Sequence, residues 1–371
     1  MSEPIDILGL SHDALCAEFA ALHGKPGKGA FHADAVFQRL YQDGIFDPEH
    51  LPEFTANPAL AQSAREYFRF ALPPLAGKQG DGDTFKFLLK LHDGLESETV
   101  VIPMRKYKTL CVSSQVGCKM GCSFCETARM GFVRHLTAGE IVAQVMVARH
   151  VLRERIENIV FMGMGEPMDN FDAVVDAIRI LTDQRGLAIP SKGIAVSTVG
   201  HVNGILRLAE LVEKKLSPLR RLHLAVSLNA PNDEIRSAIM PVNGLWPMAE
   251  LKEALLLWPL NHHDDFILAE YVLLEGVNDE PEHARMLAEY LRGLKTCVNL
   301  IPYNPGLDGP YVRPSPEKVT AFFETLSNAG QYCRIRGTKG DSAMAACGQL
   351  GNRALSRKTL RQVQGPLMEV A

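Results

Sequence analysis

No stretch of these 371 residues is long and apolar enough to span a bilayer. The opening Met1-Ser-Glu-Pro-Ile-Asp6 lacks a charged segment followed by an apolar one, so no secretory leader is expected. Both absences point to the cytoplasm. Cysteine is also scarce. Eight in a chain of this length do not make a disulfide scaffold, and a reducing compartment suits them. An excess of positive charge is missing too: 39 Lys and Arg against 43 Asp and Glu give a net charge of −4. That balance argues against blanket affinity for nucleic acid and leaves any RNA contact to local basic patches. Apolar residues are plentiful at 46%, enough for a full core, and the length suits one large domain plus a small one.

Three of the cysteines stand close together in Cys118-Lys-Met-Gly-Cys122-Ser-Phe-Cys125. Thiolates this near raise one another's pKa unless a metal centre neutralises them, so they read as ligands. A structural zinc ion would need a fourth protein donor, for which His135 is available. An iron-sulfur cube held by three thiolates keeps one iron open to an exogenous ligand. The C-x3-C-x2-C spacing, with Phe124 before the last cysteine, resembles the signature of the radical SAM superfamily.

The flanking motifs narrow the resemblance. Cys111-Val-Ser-Ser-Gln-Val-Gly-Cys118 leads into the loop and Gly131-Phe-Val-Arg-His-Leu-Thr-Ala-Gly-Glu140 leads out of it. Together with Phe161-Met-Gly-Met-Gly-Glu-Pro167 and Ala345-Ala-Cys347-Gly-Gln-Leu350, they resemble the RlmN/Cfr family of radical SAM rRNA adenine methyltransferases, from about Ile7 to Arg361.

Periodicity gives the organisation. Residues 1–80 carry apolar residues at three- and four-residue spacing in Asp13–His23 and Ala33–Tyr41, predicting a small helical accessory domain; the resemblance adds RNA docking. Cys16 falls on the apolar face of the first helix and reads as an ordinary buried thiol. Residues 81–108 predict a β-hairpin linker turning at Asp93-Gly94, with Glu98 on its second arm. Over 109–351, strand-like runs near 109–114, 157–162, 193–198, 222–228, 267–273, 297–302 and 331–336 alternate with helical ones. Such alternation implies an α/β fold of parallel strands, a partial (β/α)6-type, TIM-like radical SAM barrel. Ligands should gather at the C-terminal ends of its strands, where the cysteine loop falls. Residues 352–371 form a basic tail, with Arg353, Arg357, Lys358 and Arg361.

The resemblance implies a [4Fe-4S] cluster on Cys118, Cys122 and Cys125, with S-adenosyl-L-methionine held by Gly165, Glu166, Ser197, Ser227, Leu228, Asn229 and Asn304. Each of these alone is as readily a turn former; their recurrence at successive strand ends strengthens the reading. Cys297 and Cys333, inside strands, read as buried hydrophobes. For Cys111 and Cys347 the resemblance implies a catalytic pair acting on adenine C2 or C8, carbons too poorly nucleophilic for direct displacement. One SAM methylates Cys347, and a second, cleaved reductively, gives a 5′-deoxyadenosyl radical that activates the S-methyl group. The resulting carbon radical adds to the ring; Cys111 then forms a disulfide with Cys347 and frees the product, while Glu98 takes the ring proton. C2 is favoured over C8, with 23S rRNA as substrate and tRNA as a second one. A monomer served by an electron donor such as flavodoxin completes the implied picture, with no membrane partner.

Basic candidates for RNA contact are Arg105-Lys-Tyr-Lys108, Lys214-Lys215, Arg220-Arg221 and Arg334-Ile-Arg-Gly-Thr-Lys339. Three positions depart from the family pattern: Asn229 replaces a histidine, His135 an asparagine, and Met344 an acidic residue. They leave the reaction class in place and loosen the choice of RNA. Two other readings remain open, a different radical SAM activity such as an activase or sulfur-transfer enzyme, and a zinc-bearing RNA-binding module.

Overall fold

The computed structural model describes residues 3–24, 28–80, 82–305, 309–337 and 348–351. Cys347, Met344, Thr338, Lys339 and the tail 352–371 lie outside the described residues.

The N-terminal part is helical. Strand β1 (Ile5–Asp6) pairs in parallel with β2 (Phe68–Arg69), and α1 (His12–His23), α2 (Ala30–Gln38) and α3 (Pro58–Tyr67) lie between them. Ser11 Oγ accepts from Ala14 N at 3.3 Å and Asn57 Oδ1 from Leu60 N at 3.2 Å, each satisfying a donor that the first helical turn leaves open. Phe19, Phe37, Phe54 and Phe68 are buried in a core that continues without a break into the rest of the chain.

Next come β3 (Leu75–Gln79), β4 (Phe85–Lys90) and β5 (Glu96–Pro103), paired antiparallel. Asp93 Oδ1 accepts from Leu95 N at 3.0 Å in the β4–β5 turn, the usual role of an aspartate there. β5 in turn pairs antiparallel with β6 (Lys108–Cys111), so the hairpin is continuous with the main sheet.

From β6 onward every neighbour in that sheet is parallel: β9 (Ile156–Phe161), β10 (Ile194–Thr198), β11 (His223–Ser227), β12 (Ile267–Leu273), β13 (Thr296–Pro302) and β14 (Cys333–Ile335). Between β6 and β9, a short antiparallel pair, β7 (Gln115–Gly117) and β8 (Phe132–His135), brackets the cysteine loop and α4 (Glu126–Met130). The crossovers carry α5 (Ala138–Met146), α6 (Phe171–Thr182), α7 (Val202–Glu213), α8 (Asp233–Ile239), α9 (Met248–Leu256), α10 (Pro281–Leu291) and α11 (Pro316–Asn328). The helices turn apolar stripes inward, and Ile159, Val196, Leu224, Val298 and Leu300 on the strands are fully buried, as a sheet covered by helices requires.

Strand order follows chain order from β6 to β14, which is how a barrel winds, but β3 and β14 are separate edges, so closure is incomplete. Among the described residues the parallel set numbers seven, one for each strand-like run of the sequence, the short β14 pairing beside β13 at the edge. Among the described residues, no helix is long and apolar enough to cross a membrane.

Candidate active site

The cysteine loop leaves β7 through Gly117, whose φ is +76°; a Cβ there would sit 1.8 Å from the carbonyl oxygen of Gly131. Only glycine lets Cys118 N reach that carbonyl at 3.2 Å, which starts the loop. Cys125 then takes the N-cap position of α4, where the backbone N–H groups of Thr127 and Ala128 favour its thiolate, as that of Met120 favours the thiolate of Cys118. Burial pushes the thiols up, Cys118 to about 12, so they are neutral unless a metal takes their place among the charges.

Three thiols without a fourth protein donor suit an iron-sulfur cube, which keeps one iron open, better than a structural zinc ion. The N–H groups aimed at sulfur fit the same group. His135, the fourth donor a zinc site would need, bonds instead through Nδ1 to Gln115 Nε2 at 3.1 Å.

All three cysteines open onto one cleft at the C-terminal ends of the parallel strands, about 1070 Å³ up to its mouth. Gly165, Glu166, Ser197, Ser227, Asn229 and Asn304 line it with them. Gly165 has φ +99°, and a Cβ would fall 2.5 Å from Gln115 Cβ. Glu166 is buried, accepting from Met168 N at 3.0 Å and Val199 N at 2.9 Å; burial nevertheless pushes its carboxyl up to about 7. The Ser197 and Ser227 hydroxyls make no hydrogen bond among the described residues, leaving them for a ligand. Asn229 has φ +57°, which asparagine tolerates, and spends its side chain on Val272 N at 2.9 Å and Met240 Sδ at 3.3 Å. Leu228 differs from its neighbours. Its side chain is in the hydrophobic core, and only its backbone faces the strand ends.

A second cavity runs on toward the N-terminal ends of the strands, with Met162, Glu270, Ile301, Asn304, Arg336 and Leu350 as the common wall. Cys111 lines it, beside Val100, its partner on β5. Lys192 and Arg334 bring positive charge to it, while burial lowers the pKa of the His223 imidazole and keeps it neutral, and Tyr107 stands at its rim next to the exposed Arg105 and Lys106. The other basic candidates divide: Lys108 pairs with Glu154 at 2.7 Å and Arg221 with Asp265 at 3.0 Å, whereas Lys214 and Lys215 are exposed.

Glu98 lies on the same face of β5 as Val100 and is buried, not solvated as a strand carboxylate usually is. Lys86 Nζ is 3.1 Å from Oε2, and Gly351 N donates to Oε1 at 3.3 Å. The segment containing Gly351 is docked at two further points. Glu126 N donates to Gly348 O at 2.8 Å, and Thr127 Oγ1 to Leu350 O at 2.6 Å. Gly348 and Leu350 thereby line the cluster cleft, and Leu350 belongs to the same buried apolar cluster as Cys111. Cys16, Cys118, Cys122, Cys125, Cys297 and Cys333 are free thiols.

Residues 112–288 match the family model for the radical SAM superfamily. A probable dual-specificity RNA methyltransferase RlmN 1 of Protochlamydia amoebophila is 43% identical over 355 residues, 96% of either chain. The chain belongs to the RlmN family of radical SAM RNA methyltransferases. The dual-specificity RNA methyltransferase RlmN of Halorhodospira halophila is 42% identical over 94% of both chains. A crystal structure of a radical SAM methyltransferase from Sphaerobacter thermophilus superposes with a TM-score of 0.84 at 37% identity, covering 93% of this chain and 99% of that one. Membership in the radical SAM superfamily brings a [4Fe-4S] cluster and SAM as cofactors and sets aside the zinc module.

Several residues that organise this RlmN-type site carry no sequence signature. Gln115 Oε1 accepts from Glu166 N at 2.8 Å while its Nε2 reaches Asp169 at 3.0 Å, tying the glycine-rich loop to β7. Arg236 is wholly buried and holds the ends of β10 and β11, donating to Val199 O at 2.5 Å, Leu228 O at 3.2 Å and Asn243 Oδ1 at 2.8 Å. Asn278 Nδ2 joins Asn229 O to Val272 O, both at 2.7 Å. Arg236 reads as one more polar residue of a short helix, and only its burial reveals the role.

Proposed function

We propose that this enzyme methylates a ring carbon of adenine in 23S rRNA, C2 rather than C8, and in tRNA, by way of an S-methylcysteine at Cys347. One observation carries the reading: Gly348 and Leu350, just after Cys347, line the cleft that contains the three cluster cysteines, and Leu350 shares a buried apolar cluster and the second cavity with Cys111. A thiol at position 347 would thus enter the site from a segment anchored there by Glu126, Thr127 and Glu98. The Protochlamydia and Halorhodospira proteins are named dual-specificity RNA methyltransferases, which supports two RNA classes as substrates.

Cys118, Cys122 and Cys125 would hold the cluster, and Gly165, Glu166, Ser197, Ser227, Asn229 and Asn304 the SAM. When bound, these two cofactors supply the radical chemistry that a poorly nucleophilic ring carbon requires. The chain's own residues do the rest. Cys347 carries the methyl group to the ring and remains joined to it. Cys111, held on β6 beside the second cavity, attacks the sulfur of Cys347 and releases the methylated base as the two thiols become a disulfide. Glu98, on the same face of β5, takes the ring proton with Lys86 beside it. The second cavity receives the flipped nucleotide, its cationic wall facing the flanking phosphates.

Replacing Cys111 by Ala and supplying SAM and reductant anaerobically tests the route. A covalent RNA–protein adduct through Cys347 is expected to accumulate, and digestion of wild-type product should yield 2-methyladenosine. Methylation at the wild-type rate without an adduct would overturn the proposal.

A further inference from the structure

Outside the reaction site, the accessory helices carry an unassigned cluster of metal-ligating side chains, made by residues specific in type and position. His12 opens α1, and Cys16 follows one turn later on the same face. Asp34 reaches across from α2 and hydrogen-bonds His12 Nε2. Cys16 Sγ lies 3.7 Å from Nε2 and 3.8 Å from Nδ1, and one ligand atom from each of the three side chains lies within 4.8 Å of the others. The imidazole is buried and set edge-on against Phe37, with centroids 5.3 Å apart, so its direction is fixed. Its other nitrogen, Nδ1, faces Asp13 Oδ1 at 3.4 Å.

We propose that His12, Cys16 and Asp34 form a zinc site that clips α1 to α2, with water as the fourth ligand. This does not depend on the methylation route. Sulfur, imidazole nitrogen and carboxylate oxygen are the donor set that zinc takes, and a zinc ion would replace the proton shared by Nε2 and Asp34 as the Cys16 side chain turns toward it. The Asp13 carboxylate, 3.4 Å from Nδ1, stands where the outer partner of a metal-bound histidine commonly does. The nearby guanidinium of Arg185 is engaged by Asp183 at 2.7 and 2.9 Å, so the carboxylates of Asp13 and Asp34 leave the local field favourable to a cation.

Anaerobically purified holoenzyme, dialysed against a zinc buffer, is the test, with zinc and iron counted separately and zinc K-edge EXAFS recorded. One zinc per chain is expected, with a single sulfur scatterer at about 2.3 Å. Cys16→Ser should remove that scatterer and most of the zinc while iron stays at the wild-type level. Asp34→Asn, an exposed position that leaves the core untouched, should weaken zinc retention at least about tenfold without loss of fold. Wild-type enzyme that holds no zinc overturns the proposal, as does zinc that persists with its sulfur scatterer in Cys16→Ser, which would place the metal on the cluster cysteines.

Discussion

Thr127 Oγ1 donates to the carbonyl of Leu350 across 2.6 Å, a buried bond between positions 223 residues apart. It fastens the helix that follows the cluster cysteines to the segment that follows Cys347. Thr127→Val keeps the volume and strands that carbonyl, at a cost of about 1–3 kcal/mol. RNA methylation is expected to fall at least about tenfold with bound iron unchanged. Iron analysis beside a single-turnover assay checks it; unaltered turnover would sever the link between this bond and catalysis.

Lys86 and Glu98 form a buried ion pair at 3.1 Å. Lys86→Met should leave the carboxylate uncompensated and lower stability by about 3–5 kcal/mol, whereas the double variant Lys86→Met, Glu98→Leu recovers most of the loss. Urea unfolding of the three proteins measures both. Glu98→Leu alone should also slow release of the methylated base if Glu98 is the proton acceptor.

Gly165 occupies a backbone conformation that a side chain resists, with Gln115 Cβ only 2.5 Å from where a Cβ would stand. Gly165→Ala should therefore weaken SAM binding about tenfold or more while leaving iron in place. Calorimetric titration with SAM settles the point, and wild-type affinity would count against contact between this loop and SAM.

Arg236 spends its guanidinium on backbone carbonyls at two strand ends. Arg236→Met should cost about 3–5 kcal/mol by freeing those carbonyls. Arg236→Lys should not restore stability, because an ammonium cannot span the planar fork. Thermal unfolding distinguishes the variants, and full rescue by lysine would show that charge alone suffices.

Glu166 titrates near 7 rather than at its ordinary 4.5, because burial disfavours its charge. The folded chain thus holds this proton more tightly than the unfolded chain. The stabilising contribution is complete below about 4.5 and disappears as the pH climbs to about 7, a difference of a few kcal/mol. In cluster-free protein a carboxyl carbon resonance should move with a midpoint near 7 and be missing from Glu166→Gln. A midpoint near 4.5 would contradict it.

The sequence carried the cluster loop, the strand ends and the alternating architecture because each is written in local spacing: three cysteines in eight residues, small residues after apolar runs, strand and helix in turn. It was less informative where tertiary packing decides. Glu98 is singled out in the sequence by resemblance alone, because its burial against Lys86 depends on which face of the hairpin meets the sheet. Leu228, between two cleft residues, alternates into the core as strand geometry demands. Cys16 reads as an apolar-face thiol until α2 brings Asp34 across to His12.

Cys111 sits in a strand hydrogen-bonded on both flanks, to β5 and to β9, near the middle of ten. Such a strand is among the last parts of a fold to yield. If two sulfurs are to meet here, one is an anvil, and whatever travel the encounter needs must be made by the other.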